Sequence, residues 1–122
     1  MDARLRRAID LFNHGRFFEA HELLEECYHE AADEERAFLE ALIGLAAAFR
    51  LFADFGEVRG PVRMIYQALI RLENYQPAFM KVRVRELCEK AEAWAKTAEA
   101  AGTVPADSDI PKIRFQSFSF FS

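Results

Sequence analysis

Apolar and polar positions along this chain recur with the period of a helix, in five successive blocks. In the first, Leu5, Ala8, Ile9 and Phe12 fall at i, i+3, i+4 and i+7, so they share one face of a helix from Ala3 to about Asn13. Asp2 is placed to cap its start, and Asn13 and Gly15 tolerate the left-handed turn that would end it. The second block, from about Phe17 to Ala31, carries its apolar stripe on Phe17, Ala20, Leu24, Cys27 and Ala31. A third opens on Asp33, Glu34 and Glu35, a cap and an acidic first turn suited to the positive end of a helix dipole. It is apolar on nearly every side from Ala37 to Phe49, and a helix without a polar face belongs at the centre of a fold. Gly44 interrupts it at a cost of about 1 kcal/mol against alanine, which predicts close approach of a neighbour. Arg36 and Glu40, one turn apart, predict an ion pair.

Phe55-Gly56 ends this helix and Gly60-Pro61 starts the next, with Val62, Ile65, Leu69 and Leu72 turned inward and Pro77 as the stop. The last block, about Val82 to Ala101, buries Val84, Leu87, Cys88, Ala91, Trp94, Ala95 and Ala98. Its Glu86/Lys90 and Glu92/Lys96 pairs have the favourable order on a solvent face, and Gly102 stops it. No segment shows the period of a credible strand. The pattern therefore predicts an all-α, single-domain antiparallel bundle of about five helices over residues 1–102. Residues 103–122 form an irregular Phe-rich tail, a polar loop and then KIRFQSFSFFS. Ile113, Phe115, Phe118, Phe120 and Phe121 are too many to leave in water, so the tail packs on the domain or on a partner subunit, as a homo-oligomer would.

Composition narrows the classes. With 52% hydrophobic and 30% charged residues the chain is globular, and its 122 residues suit one core. A net charge of −4 weighs against nucleic acid as a partner. Cys27 and Cys88 stand in no metal or redox spacing and read as buried thiols in a reducing compartment. The N-terminus has no apolar signal core, and no apolar run approaches the ~18 residues of a membrane span. A cytoplasmic protein without membrane partners is expected.

Chemically capable side chains concentrate between Leu11 and Tyr28, where His21, Glu22, Glu25 and Glu26 follow one another, with His29 just beyond. His21 and Glu25 share a helix face at i and i+4, so both could reach one divalent metal ion, with Glu22 beside them as a base and His29 a turn further on. That arrangement resembles half of a zinc-protease helix with a carboxylate as its second ligand, and the discriminating feature would be a third ligand from another helix, with Glu40 and His29 as the nearest candidates. The plainer reading pairs His21 with Glu25 or a backbone carbonyl and leaves Glu22 and Glu26 solvated. Arg16 and His21 also fit the Arg-x4-His spacing of HEPN-type ribonuclease domains, but the acidic surroundings of His21 oppose an RNA phosphate.

FNHGRFFEAHELLEECY, from Phe12 to Tyr28, resembles the pattern FNxGxxFEAHExLExxW of a prokaryotic family known as domain of unknown function 309. The similarity extends through Arg36 to Ala48 and, less closely, to Pro77. It implies an all-helical fold with no established activity, and its motif positions fall here on Phe12, Asn13, Gly15, Phe18, Glu19, Ala20, His21, Glu22, Leu24 and Glu25. Tyr28 stands where the family has tryptophan, and Arg50 where it often has histidine, which removes one candidate metal ligand. The reading that results is a non-catalytic binding or interaction module. His21, Glu22 and Glu25, bordered by Asn13, Phe18 and Tyr28, would form a polar site at a helix crevice, holding a ligand whose class the sequence does not specify. The alternative is a metal-dependent hydrolase-like enzyme with His21, Glu25 and His29 as ligands and Glu22 as the catalytic base.

Overall fold

The computed structural model describes residues 3–117; Asp2, Phe118, Phe120 and Phe121 of the sequence reading lie outside the described residues. Five helices follow in order: α1 (Ala3–Asn13), α2 (Phe17–Glu30), α3 (Asp33–Phe55), α4 (Arg59–Leu72) and α5 (Val84–Ala101). Successive helices α1 to α4 are antiparallel neighbours because their connections are only a few residues long.

α3 is the axis of the core, as its unbroken apolar run requires. Phe38, Leu42, Leu45 and Phe49 have no exposed surface at all. The Phe49 ring lies 5.7 Å from Phe12 of α1, 5.9 Å from Phe17 of α2 and 5.4 Å from Trp94 of α5, mostly edge to face. Three helices are thereby fixed on one side of the central one. α4 covers another side through Ile65, Ala68 and Leu72.

The ends of α3 follow from their residues. Glu35 reaches back so that its Oε1 accepts from the Ala32 N–H at 3.3 Å; Ala32, not Asp33, occupies the capping position. At the other end Gly56 takes a φ of +65°, and the Glu57 N–H donates to the Leu51 carbonyl at 3.1 Å, a Schellman closure that a side chain at residue 56 would strain.

Four expectations need correction. Gly44 is not demanded by close approach: a methyl group there would stand 4.0 Å from Ala68 Cβ, an ordinary contact. Arg36 pairs with Asp33 at 3.7 Å rather than with Glu40, which turns across to Arg71 of α4 at 3.3 Å. α4 ends at Leu72 rather than at Pro77, and a 3-10 turn over Glu73–Tyr75 follows. The chain also contains a strand pair, β1 (Ala78–Phe79) and β2 (Val82–Arg83), joined by Met80 and Lys81 with φ of 49° and 65°. Arms of two residues are too short to show alternation, and the turn carries neither the glycine nor the asparagine that positive φ usually signals.

The tail returns to this hairpin. Val82 forms an antiparallel bridge with Phe115, the Gln116 N–H donates to the Lys81 carbonyl at 2.7 Å, and the Arg83 N–H donates to the Arg114 carbonyl at 2.9 Å. Ile113 is buried among the core residues. Asn13 fixes it from α1: its Nδ2 donates to the Ile113 carbonyl at 2.9 Å and its Oδ1 accepts from the Ile113 N–H at 2.8 Å. Lys112 Nζ donates to the Asn13 carbonyl at 2.6 Å, and the Arg6 guanidinium lies 4.9 Å from the centre of the Phe115 ring. One side-chain amide thus does for the tail what a strand neighbour would do.

Candidate functional site

α2 divides its residues between two surfaces. Phe17, Ala20, Leu24 and Cys27 are buried. Phe18, His21, Glu22 and Glu25 recur at i, i+3, i+4 and i+7 along the opposite flank and reach solvent. His21 Nε2 lies 3.5 Å from Glu25 Oε1, with the imidazole 30% exposed and the carboxylate 51% exposed. The pairing is a surface contact, since water competes for both partners. Glu22, Glu26 and His29 are exposed; the His29 ring stands edge-on to Tyr28 at 5.7 Å.

α3 supplies the other wall. Its Arg50 guanidinium lies 4.4 Å from the centre of the Phe18 ring and 5.6 Å from that of Phe55, and Arg50 Nε is 3.7 Å from Asp54 Oδ2. A cation held between two aromatic faces satisfies part of its charge by the ring quadrupoles. Further along, the Arg36 guanidinium lies 5.8 Å from the centre of the Tyr28 ring. The edge between α2 and α3 therefore sets the rings of Phe18 and Tyr28 on α2 against the cations Arg50 and Arg36 on α3, with the α2 carboxylates beside them.

The sequence-predicted residues separate into groups. His21 and Glu25 meet; Phe18 and Tyr28 lie on the same edge, each under an arginine. Asn13 is elsewhere, engaged with Ile113. Among the described residues, no group of three His, Cys, Asp or Glu side chains is placed to hold a metal ion. Glu40, the candidate third ligand, faces Arg71 instead. Arg16 gives both Nε and Nη2 to the Glu19 carboxylate, at 2.7 and 2.6 Å, so the Arg-x4-His pair is tied to its own helix. Among the described residues, five of the surface grooves have linings that include none of His21, Glu22 and Glu25. Arg50 was not among the candidate site residues, although the signal was present: one charge inside an apolar helix, opposite Phe18 once α2 and α3 run antiparallel.

Two groups away from this edge titrate above their ordinary values. Burial pushes the Cys88 thiol up, the carboxylates of Glu73, Glu92 and Glu89 add to this, and a hydrogen bond with Gln76 opposes it. Loss of hydration raises the Tyr66 phenol, helped by Glu99 and Glu92 and by a hydrogen bond to Glu99. A protonated, buried thiol such as Cys88 is a poor nucleophile.

The fold and this edge define a small all-helical domain whose charged motif lies on an outer surface. Comparison with known families carries the assignment one step further. A family model described as domain of unknown function (DUF309) matches residues 5–64, slightly under half of the chain, from α1 into α4, and the chain resembles that family over those residues. No curated protein and no solved structure matches the chain.

Proposed function

We propose that the protein is a non-catalytic interaction module that engages a macromolecular partner through the α2–α3 edge. The observation that carries this reading is the outward row Phe18, His21, Glu22 and Glu25, which lines none of those five grooves. Small-molecule and catalytic sites are concave and bury most of their ligand, whereas protein partners are held by exposed aromatic anchors with a charged surround. Phe18 is 47% exposed and backed by Arg50, so it is a pre-positioned anchor. Glu22, Glu25 and Glu26 beside it favour a partner with lysine or arginine at the rim.

The test is capture of partners from an extract of the protein's own cells, followed by binding of the purified partner to the parent chain, to Phe18→Ala and to Glu22→Lys/Glu25→Lys. A partner bound by the parent and at least about tenfold more weakly by both variants, with melting unchanged, supports the module. Turnover of a substrate that requires added metal and is lost in Glu22→Gln would overturn it in favour of the hydrolase reading.

A further inference from the structure

The outer face of α4 carries an unusual sequence of side chains. Arg59, Arg63, Tyr66, Ile70 and Glu73 are spaced four, three, four and three residues apart, the spacing of a seam along which two helices meet. All five lie on the side away from the buried Pro61, Ile65, Ala68 and Leu72. Ile70, in the midst of these, is 70% exposed, more than Phe18 or Phe55. The charges at the two ends are opposite in sign, and among the described residues Arg59, Arg63 and Glu73 make no ion pair, although Arg71 and Lys96 nearby do.

Grooves flank the seam. One of about 620 Å³ is lined by Val62, Tyr66 and Ile70 together with Arg59, Arg63 and, from α5, Glu99. The other, about 490 Å³, runs past Tyr66 and Leu69 to Glu73, Glu89 and Glu92. The first end of this face is basic and the second is acidic.

A face with this polarity is complementary to itself when reversed. Two copies of α4 laid antiparallel about a two-fold axis through Tyr66 place residues whose numbers sum to about 132 opposite one another. Arg59 then meets the partner's Glu73, Arg63 lies along the partner's Ile70, and the two Tyr66 rings meet at the axis. The first groove receives the partner's Ile70 between Val62 and Tyr66. Arg59 and Glu73, unpaired on the isolated chain, pair with each other across the axis, and Ile70, the most exposed large apolar side chain among the described residues, is covered. The parallel arrangement fails, because it sets Arg59 against Arg59 and Glu73 against Glu73. The geometry points to a second copy of this chain as the occupant: the protein forms a two-fold symmetric dimer through α4. The seam, from Arg59 to Glu73, is about 21 Å long, so the interface is modest and dissociates on dilution. It uses neither the α2–α3 edge nor the C-terminal tail.

Sedimentation equilibrium of the full chain over a wide concentration range tests this, with circular dichroism to show that each variant folds. The parent chain is expected to approach twice its 14.0 kDa mass as loading rises. Ile70→Lys is expected to weaken association about tenfold or more, since it sets a second cation against the partner's Arg63 and buries a charge beside Val62. Arg59→Glu alone weakens it by setting two carboxylates against each other, and Arg59→Glu/Glu73→Arg restores it to within about threefold of the parent. That rescue is the decisive reading, because both single changes lie on solvent-facing positions and only an antiparallel partner couples them. A mass of one chain up to near-millimolar loading overturns the proposal. So does a dimer that survives Ile70→Lys but is lost when the chain is cut after Ser117, which would assign the contact to the tail.

Discussion

Phe17 and Phe18 are adjacent, chemically identical and put to opposite uses. Phe17 is 3% exposed, with Phe12 at 5.1 Å and Phe49 at 5.9 Å between ring centres, so it belongs to the cluster that fixes α1, α2 and α3 together. Phe18 is 47% exposed and touches the core side only through Arg50. The step of 100° between consecutive helical residues is enough to place one ring in a dry aromatic cluster and the next over a cation in water. The same division runs the length of α2: Leu24 inside, Glu25 outside; Cys27 inside, Glu26 outside. On the proposed reading, stability and recognition are drawn from different side chains of one helix, and each can be altered with little effect on the other.

Three measurements would break or sharpen that division. Phe17→Ala removes a ring from the centre of the aromatic cluster and is expected to cost about 3–5 kcal/mol in urea unfolding. A loss under 1 kcal/mol, as befits a surface position, would show that the cluster repacks and that the inner face of α2 is not where the stability lies. Asn13→Ala, which takes away both hydrogen bonds to the half-buried Ile113 backbone, is expected to cost about 1–3 kcal/mol by the same method. His21→Ala is expected to change the unfolding free energy by less than about 1 kcal/mol, because the His21–Glu25 pair is solvent-screened. A cost of about 1–3 kcal/mol would require the change to strand a buried partner, and Glu25 is half exposed. A large loss would place His21 in the framework rather than in the recognition edge.

Most of the architecture was legible because helices announce themselves through many residues at once. The buried set of α5, from Val84 to Ala98, is the apolar stripe read from its periodicity, and the centrality of α3 follows from its missing polar face. What escaped was set by single contacts between distant parts of the chain. Nothing in RLENYQPAFMKVR indicates that two residues on either side of Met80-Lys81 will pair, since the arms are stabilised by Phe115 and Gln116 some thirty residues later. Glu40 could be matched with Arg36 from spacing alone, but the distance to Arg71 depends on how α3 and α4 cross. The edge of α2 was half legible. HExxE gave the carboxylates and the imidazole their common flank, whereas the role of Arg50 needed the antiparallel pairing of α2 with α3.

The amide of Asn13 joins positions one hundred residues apart, in a protein whose other packing is largely between consecutive helices. Helices that meet their neighbours in the chain can dock quickly, while a contact closing so long a loop pays its entropy late. The order of assembly is then helices first and strap last. Loss of the Asn13 amide should leave the refolding rate nearly unchanged and appear almost wholly as faster unfolding. The strap acts as a latch on the lifetime of the folded state, and the bundle beneath it sets how fast that state is reached.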